Sequence, residues 1–397
     1  MDFLTALDLH DARPVCPTLA AACFAFGNLF CYKLSSDMAD DARIKQFEIA
    51  DEEALLSFLR AAYPGEALKS DPAFWRWHFL ENPHAEAGNV PLWIVKSGER
   101  VVGQMAAIPV QLKVCEELRR ALWIIDFMLL PEYRGRKLGK NLMGLARETY
   151  CRTMLALGYN QQSEAVLRSH QWAHLGHINR YHLQLFPGHA VKEISRLAPA
   201  RHLANLAYAP FRPRRAKLSP SAAGEVREVH RFDSSFDELW QRAARQWPCA
   251  VVRGSRFLEW QFMKQPGKKY EVLGYYEGER LAAYAVLFFR KAGPGGAPPK
   301  AAISDLCYDA ENAEGAIDSL LKAAIRLALE RRVGGLVTDV LDARIEARLK
   351  RLGFWRIKAS PPFMAGTDER QDLVYERSNW FLTRADSDVS IFEEPNL

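Results

Sequence analysis

The chain has 397 residues, of which 49% are hydrophobic and 25% are charged, and it carries a formal net charge of +5. This length exceeds one ordinary core and suits two domains of about 180 residues each. The small net charge argues against general nucleic-acid binding, which usually needs a strong basic surface. Seven cysteines without a Cys-x-x-Cys pair are typical of reduced thiols in the cytoplasm rather than of disulfides or a zinc site.

Residues 1–37 do not share the pattern of the rest of the chain. Residues 19–30 are apolar but too few to span a bilayer. The residues before them are mainly acidic, which is the wrong charge for a secretory signal. We therefore expect a poorly packed extension, or an upstream start codon with Met38 as the true first residue, and no integral membrane span.

Residues 74–83, FWRWHFLENP, form an aromatic motif. Trp75 and Trp77 could make a cage for a ligand cation. The motif recurs, however, as FLEWQFMKQP at residues 257–266. A motif that is present in two parts of the chain is better explained as domain packing, and this is the interpretation we favour.

Residues 124–157 predict a strand, a basic turn and a helix. The apolar run 124–130 is stopped by Pro131, which cannot donate a ladder hydrogen bond. Helical spacing of apolar residues follows from residue 140 to about 157. Between them lies a turn rich in glycine, arginine and lysine, at which the helix N-terminus points. Unpaired N–H groups, the helix dipole and the cations together predict a phosphate site.

This segment resembles the acetyl-CoA signature R/Q-x-x-G-x-G/A of the GNAT N-acyltransferases. Arg134 and Gly139 match its first and last positions, and Lys137 replaces the middle glycine. The resemblance implies that turn amides hold the CoA pyrophosphate and that a strand edge pairs with the pantetheine arm. The expected cofactor-binding residues are Met128, Leu129, Arg134, Gly135, Arg136, Lys137, Leu138, Gly139 and Lys140.

Transfer of an acyl group to an amine benefits from a base, because the amine attacks only in its neutral form. The resemblance implies a carboxylate on the strand before the turn, where Asp126 stands. Asp305 occupies the corresponding place later in the chain, so a structural role for Asp126 stays open. Glu164, expected at a strand end, is a second candidate base.

The family's thiolate acid is a tyrosine in a segment resembling Y-x-x-L-G-F. Here the segment reads WAHLGHI, which puts Trp172 in the tyrosine's place. His170 and His174 are the candidate replacements, since four residues would place them on one helical face. Lining of a substrate groove or capping of a helix end is the alternative. No nearby carboxylate or cysteine completes a metal site, so none is expected.

The segment from 197 to about 225 is rich in proline and basic residues and predicts a crossing between domains. A solvated linker is the favoured interpretation, and contact with a membrane surface or polyanion is the alternative. Residues 292–299, AGPGGAPP, predict a flexible loop.

The second part of the chain repeats the first. The aromatic motif recurs 183 residues later, and three further matches follow in the same order: Gly98-Glu99-Arg100 with Gly278-Glu279-Arg280, Asp126 with Asp305, and Leu175-Gly176 with Leu352-Gly353. Matches in one order indicate two copies of one domain. The predicted domains are 38–196 and 226–397. In the second copy Asp309, Glu311 and Glu314 stand where the first has cations. We therefore expect the second copy to bind no CoA and to form one wall of the acceptor site.

These observations predict an α/β (α+β) chain of two tandem GNAT-like domains, each with a central mixed, mostly antiparallel sheet flanked by helices. The expected activity is transfer of an acetyl or other acyl group from acyl-CoA to a small-molecule amine, for example an amino sugar or another cell-envelope metabolite. We expect a cytoplasmic monomer or homodimer without metal or nucleic acid. Two alternatives are an acyl-CoA-binding or regulatory module without turnover and an aminoacyl-tRNA-dependent peptidyl transferase.

Overall fold

The structure is a computed structural model that describes residues 42–86, 88–189, 198–213, 224–290, 299–358 and 360–392. The predictions for residues 1–37 and for nearly all of the loop 292–299 lie outside the described residues. Within the described ranges, no helix is both long enough and apolar enough to cross a bilayer.

The two halves of the chain share one order of elements, to which the second half adds a short strand after its first helix and three elements at its end. The first half contains β1 (Ala42–Gln46), α1 (Glu52–Ala62), α2 (Pro72–Phe79), β2 (Leu92–Ser97), β3 (Arg100–Val114), β4 (Glu117–Leu129), α3 (Leu138–Thr149), β5 (Met154–Leu157), α4 (Gln161–Ser169), β6 (Ala173–His177) and β7 (Asn179–Gln184). The helix α5 (Ala198–Tyr208) connects it to the second half. That half contains β8 (Glu225–Val229), α6 (Ser234–Ala243), β9 (Cys249–Val251), α7 (Ser255–Leu258), β10 (Tyr270–Glu277), β11 (Arg280–Arg290), β12 (Lys300–Tyr308), α8 (Ala313–Glu330), β13 (Gly335–Leu341), α9 (Ala343–Arg351), β14 (Trp355–Ile357), β15 (Pro362–Gly366), α10 (Gln371–Val374), β16 (Trp380–Thr383) and α11 (Val389–Phe392).

The predicted strand, turn and helix are present, but the helix is shorter than predicted. The strand β4 ends at Leu129, just before Pro131, as expected. The helix α3 ends at Thr149, and Met154–Leu157 is the fully buried strand β5. The prediction of one helix to residue 157 was therefore wrong. A short apolar run that fits both the helical and the strand periodicity cannot be assigned by spacing alone.

Each half contributes strands to the sheet of the other, and β9 of the second half also pairs with β3 at Lys113↔Ala250. In the first sheet β15 lies between β5 and β6, with Met364 opposite both Ala156 and His174. In the second sheet β7 lies between β13 and β14, with Tyr181 opposite both Thr338 and Arg356. The predicted domains 38–196 and 226–397 are thus interleaved, since the pairing of each sheet needs residues from both.

The aromatic motif packs the two halves together. Trp77 Nε1 donates to the carbonyl of Trp260 and Trp260 Nε1 donates to the carbonyl of Trp77, each at 3.0 Å. The two indole rings stack with centroids 5.0 Å apart. Both side chains are buried. The packing interpretation is confirmed, and the reciprocal hydrogen bonds relate the copies by an approximate twofold axis.

Replacing Trp77 by phenylalanine is expected to destabilise the protein by about 2–3 kcal/mol, because the Trp260 carbonyl loses its donor and the stacked ring loses contact area. Unfolding in denaturant measures this. Trp355→Phe is the matched control, since Trp355 is exposed and should change stability by less than about 0.5 kcal/mol. Equal unfolding midpoints for both variants would contradict the interlocking role of Trp77.

Candidate active site

The strands β4 and β5 diverge after the pair Trp123↔Leu155, and we refer to the gap between them as the fork. They pair in parallel only at Leu122↔Met154 and Trp123↔Leu155. Beyond Trp123, β4 continues to Leu129 beside β3, while β5 pairs through its other edge with β15. In the described part of the chain, no strand pairs with the β5-facing edge of β4 beyond this point. Backbone groups along this edge are available to an extended ligand.

A β-bulge lies at the fork. The β3–β4 register shifts between Gln104 and Ala106, so that Asp126 and Phe127 oppose the single residue Met105. Asp126 has a positive φ of 43°. A bulge redirects side chains, and here it turns the Asp126 carboxylate toward the face of the sheet that α1 and α2 cover.

The basic turn joins β4 to α3. Lys137 stands at the N-cap of α3 with φ 61°, in the left-handed region that glycine prefers. The lysine thus keeps the turn geometry of the missing glycine, at a cost of about 1–2 kcal/mol. The first helical bond runs from the Asn141 N–H to the Lys137 carbonyl at 3.0 Å. The N–H groups of Leu138, Gly139 and Lys140 lie in the first turn, where the helix offers no acceptor.

Four exposed cations surround these N–H groups: Arg134, Arg136, Lys137 and Lys140. Arg134 Nε donates to the Leu129 carbonyl at 3.0 Å, and the Arg136 guanidinium lies 5.1 Å from the centre of the Tyr133 ring. A helix N-terminus with cations beside it is the arrangement that favours anion binding, and here it lies at the mouth of the fork.

Gly139 has a packing role that the sequence pattern did not separate from a binding role. A Cβ atom there would lie 3.0 Å from Phe127 Cζ and 3.5 Å from Val166 Cγ2. The glycine therefore allows close contact of α3 with β4 and α4. A glutamate at this position would disturb that contact first, so position 139 is a poor test of phosphate binding.

A charged cluster lies beside the bulge. Lys69 and Asp126 form an ion pair, and both side chains are about nine-tenths buried. The Lys69 ammonium also lies 3.9 Å from Glu66 and 4.7 Å from the centre of the Tyr63 ring. Burial lowers the pKa of Lys69, but the carboxylates of Asp126 and Asp388 outweigh this effect and raise the pKa above its usual value.

The second half contributes Asp388 to this cluster. Its neighbours fix its place: Val389 Cγ2 lies 3.8 Å from the Cβ position of Gly158, which follows β5, and Ser387 lines a small cavity with Trp123 of β4. Ser387 Oγ donates to the partly buried Asp388 carboxylate at 3.2 Å. Burial raises the pKa of Asp388 to about 6, with Lys69 opposing and Asp126 adding to the shift.

The second copy repeats the ion pair in a fully buried form. Arg253 lies 3.3 Å from Asp305, and Thr383 Oγ1 and Tyr284 Oη donate to the same carboxylate at 2.7 Å. Arg253 also binds Asp386 at 2.8 Å. Asp305 is thus held in a buried network, and Asp126 likewise forms a buried ion pair. The catalytic role of Asp126 stays a prediction.

Residues 43–161 match the family profile of the acetyltransferase (GNAT) domain. This range contains the fork, the bulge and the basic turn. Residues 43–161 are a GNAT domain. A comparison with curated proteins finds no match to the chain in sequence.

The GNAT fold extends over both halves. A protein of unknown function from Enterococcus faecalis V583, described as a probable N-acyltransferase, is 14% identical, with a TM-score of 0.55 over 83% of this chain and 73% of that one. A GCN5-related N-acetyltransferase from Anabaena variabilis is 13% identical, with a TM-score of 0.55 over 82% and 72%. The N-myristoyltransferase of Saccharomyces cerevisiae, solved with bound myristoyl-CoA, is 13% identical, with a TM-score of 0.57 over 85% of both chains. At these identities the likeness concerns the fold.

The fork of the second copy is filled by the chain itself. The strands β12 and β13 pair only from Ala301↔Leu336 to Ile303↔Thr338. Past this point β16 pairs with β13 at Val340↔Thr383 and Leu341↔Leu382, and Thr383 bonds to Asp305 of β12. The edge that is open in the GNAT domain is therefore occupied here.

The α8 turn of the second copy carries the predicted reversed charge. Glu314 lies in the first turn of α8, and Asp309 and Glu311 precede it. These carboxylates pair with Arg348, Arg242 and Arg280. The turn is thus engaged in ion pairs with its own chain and lacks the cations of the first copy.

The histidines do not form the predicted helical pair. The helix α4 ends at Ser169, so His170 follows its end, whereas His174 lies on β6. Two strands separate β6 from β4, a distance of roughly 14 Å at the usual strand spacing. His170 Nε2 lies 3.0 Å from the Lys140 carbonyl, and burial lowers its pKa. Among the described residues, no three His, Cys, Asp or Glu side chains are grouped to hold a metal ion.

Glu164 is also placed differently from the prediction. It lies on α4, not at a strand end, and forms an ion pair with Arg168 at 2.6 Å. The structure does not bring it into the cluster around Asp126.

Comparison of the two copies also corrects the alignment at the tyrosine position. The left-handed residue after α4 is Gln171, and the one after α9 is Gly353. His170-Gln171-Trp172 therefore corresponds to Leu352-Gly353-Phe354, and the tyrosine position of the GNAT motif falls on the buried Leu167. Trp172 packs against Gly366 of β15 instead.

Tyr159 is a candidate proton donor that sequence reasoning missed. It follows β5 by two residues and packs against the same hydrophobic cluster as Phe127 and Val166. Its hydroxyl is buried, and no described residue bonds to it. Burial raises the pKa of Tyr159, so the phenol stays protonated at neutral pH.

Sequence reasoning also missed Lys69. A usable signal was present, because Lys69 and Arg253 are basic residues that precede the two aromatic motifs at similar distances.

Proposed function

We propose that this protein is an N-acyltransferase that moves an acyl group from acyl-CoA to an amine. One observation carries the proposal: the first copy has an open fork with a cationic helix N-terminus at its mouth, whereas the second copy has its fork filled and its turn acidic. This asymmetry within one duplicated fold is expected if one copy holds the acyl donor and the other has lost that task.

Different residues of the first copy bind different parts of acyl-CoA. Backbone amides of Leu138, Gly139 and Lys140 are placed to hold a pyrophosphate, with Arg136 and Lys137 adding charge. The open edge of β4 at Met128 and Leu129 is placed to pair with the amides of a pantetheine arm, as an added strand would. The thioester then lies near the bulge at Asp126.

The amine is recognised by the charged cluster. Three carboxylates, those of Glu66, Asp126 and Asp388, surround the single ammonium of Lys69. The excess negative charge favours an acceptor that arrives as an ammonium ion. Amino sugars and other amine metabolites of the cell envelope belong to this class, and they are the first acceptors to test.

Proton transfer is assigned to Asp388 and Tyr159. The bound ammonium ion first releases one proton to solvent. The neutral amine then attacks the thioester carbon, the C–N bond forms and the C–S bond breaks. Asp388 accepts the proton that the amine loses, since its pKa of about 6 leaves it ionised at neutral pH. Tyr159 donates its hydroxyl proton to the departing thiolate. Solvent then restores both groups.

The test is release of free CoA thiol from acetyl-CoA and longer acyl-CoA esters with a panel of amines, with product identified by mass spectrometry. Amine-dependent release together with an acylated amine supports the proposal. Tight binding of acyl-CoA without release for any amine would instead indicate a binding module. Absence of acyl-CoA binding would favour an aminoacyl-tRNA donor.

Calorimetric titration of CoA is expected to give one site per chain. The filled fork and the acidic turn leave the second copy without a place for pantetheine or pyrophosphate. Lys264→Glu, an exposed change in the second copy, serves as the control and should leave the stoichiometry and the affinity unchanged. Two sites per chain would contradict the assignment of β16 as a filler of the second fork.

A further inference from the structure

The segment that carries Asp388 is short. Asp388 directly precedes α11, a single helical turn at Val389–Phe392. The Asp388 carbonyl accepts the Ile391 N–H at 2.9 Å, which ties Asp388 to this turn. A single helical turn is not stable by itself, because fixing its backbone costs more than its few hydrogen bonds return. The position of the Asp388 carboxylate therefore depends on the contacts that hold α11.

Lys268 of the second half holds this turn by its carbonyl groups. Lys268 Nζ donates to the carbonyls of Ser390, at 2.9 Å, and of Ile391. The Tyr270 hydroxyl also donates to the Ser390 carbonyl, at 3.3 Å. The last carbonyls of a helix have no helical donor, and a charged donor satisfies them best. Lys268 is thus joined to Asp388 through Ile391, whose carbonyl binds the lysine and whose N–H binds the Asp388 carbonyl.

The turn that carries Lys268 also contacts the other side of the charged cluster. Gly267 has a φ of 79°, and a Cβ atom there would lie 3.8 Å from Leu68 Cδ1. Leu68 directly precedes Lys69, which supplies the ammonium group of the cluster. The same turn therefore contacts the segment of Lys69 and holds the segment of Asp388.

We propose that Lys268 is a positioning residue, which acts on the transfer reaction by holding Asp388 beside the open fork. This inference rests on the proposed function, in which Asp388 accepts the proton of the amine. A base transfers a proton only within hydrogen-bond reach of the group that loses it. Without the anchor the carboxylate stays chemically intact, but it spends less time within reach of the amine.

The first experiment compares Lys268→Met and Lys268→Arg with the parent chain in the CoA-release assay. Methionine cannot donate to the carbonyls, so kcat should fall by roughly tenfold to a hundredfold, since a displacement of about 1 Å can cost a factor of 10². KM for acyl-CoA should stay unchanged. Arginine can donate to the same carbonyls and should recover most of the lost turnover. Lys269→Met is the matched control, because Lys269 is the exposed neighbouring lysine and should leave kcat unchanged.

Two further measurements separate positioning from a structural role of Lys268. In the Asp388→Asn background, Lys268→Met should cause no further loss of turnover, since Lys268 acts through Asp388. In the parent background, Lys268→Met should shift the acidic limb of kcat/KM from about pH 6 to lower pH. Burial raises the pKa of Asp388, and a carboxyl released to water returns toward its ordinary pKa. The variant leaves unchanged the titratable groups around Asp388, which are Tyr63, Glu66, Lys69 and Asp126.

A measurement without turnover separates failure of this inference from failure of the proposed function. Hydrogen exchange in peptides that cover residues 387–392 should be roughly tenfold faster in Lys268→Met than in Lys269→Met, because the turn loses its anchor. Thermal unfolding of the two variants should differ little, which would show that the fold is retained.

The inference is overturned if Asp388→Asn loses turnover and Lys268→Met does not. It is also overturned by unchanged hydrogen exchange in Lys268→Met, or by a loss in the double variant that equals the sum of the two single losses. Normal turnover in Asp388→Asn, or no CoA release by the parent chain with any amine, would overturn the proposed chemistry itself and with it a catalytic consequence of Lys268.

Discussion

Replacing Arg136 and Lys140 together by glutamate is expected to weaken CoA binding by a factor of about a hundred or more. Each cation lies exposed beside the first turn of α3, where charge-assisted hydrogen bonds to a phosphate contribute about 1.5–3 kcal/mol each. The two glutamates add repulsion where attraction was. Calorimetry with CoA measures the effect. Calorimetry with pantetheine, which lacks the pyrophosphate, shows whether the effect depends on the phosphates.

Thermal unfolding shows whether the double variant retains its fold, which is expected because both side chains point to solvent. Lys264→Glu again provides the matched change of an exposed lysine in the second copy. If the double variant binds CoA as tightly as the parent, the pyrophosphate does not lie at this turn. Reduced binding of pantetheine by the same factor would point to distortion of the fork instead.

Replacing Asp388 by asparagine is expected to lower turnover about a hundredfold, because a positioned base typically contributes factors of 10²–10⁴. CoA affinity should stay unchanged, since the carboxylate acts on the amine and not on the donor. For the parent protein, kcat/KM should rise with pH through about 6, as the Asp388 carboxyl loses its proton. The asparagine variant has no such group, so its profile should lose that limb.

Two further variants separate this role from a structural one. Asp388→Glu keeps an ionisable group and should recover part of the turnover and the acidic limb. Asp126→Asn removes the carboxylate that lies nearest to the buried Lys69 ammonium, so it should lower stability by about 3 kcal/mol. Normal turnover and an unchanged pH profile for Asp388→Asn would show that Asp388 is not the base. Asp126 would then be the first candidate for the general base.

The two halves differ at the fork and at the turn that follows it. The first copy keeps an open fork and a cationic turn, while the second closes its fork with β16 and its turn with ion pairs. The second half still belongs to the candidate site, because Asp388 and α11 reach the fork of the first copy. The exchange of β7 and β15 keeps the two halves together and thereby fixes Asp388 and α11 beside the first fork, since neither sheet is complete without a strand of the other half.

Several features were predictable from the sequence because they rest on local chemistry or on repetition. Pro131 ends a strand wherever it occurs, and glycine and lysine before an apolar helical pattern predict a turn at a helix N-terminus. The recurrence of the aromatic motif predicted the packing role of Trp77. The reversed charge of Asp309, Glu311 and Glu314 could be read directly, because it depends only on which residues follow a strand.

Other features were decided by the tertiary structure alone. The exchange of β7 and β15 and the closure of one fork by β16 depend on backbone pairing, which uses the same N–H and C=O groups whatever the sequence. The segment of His174 became a strand for the same reason, since pairing with β15 outweighed its local spacing. Asp388 joins Asp126 only because the chain end folds back over the fork. The sequence by itself determined that one copy has a cationic turn and the other an acidic one, and the tertiary structure decided which distant side chains meet beside the open fork.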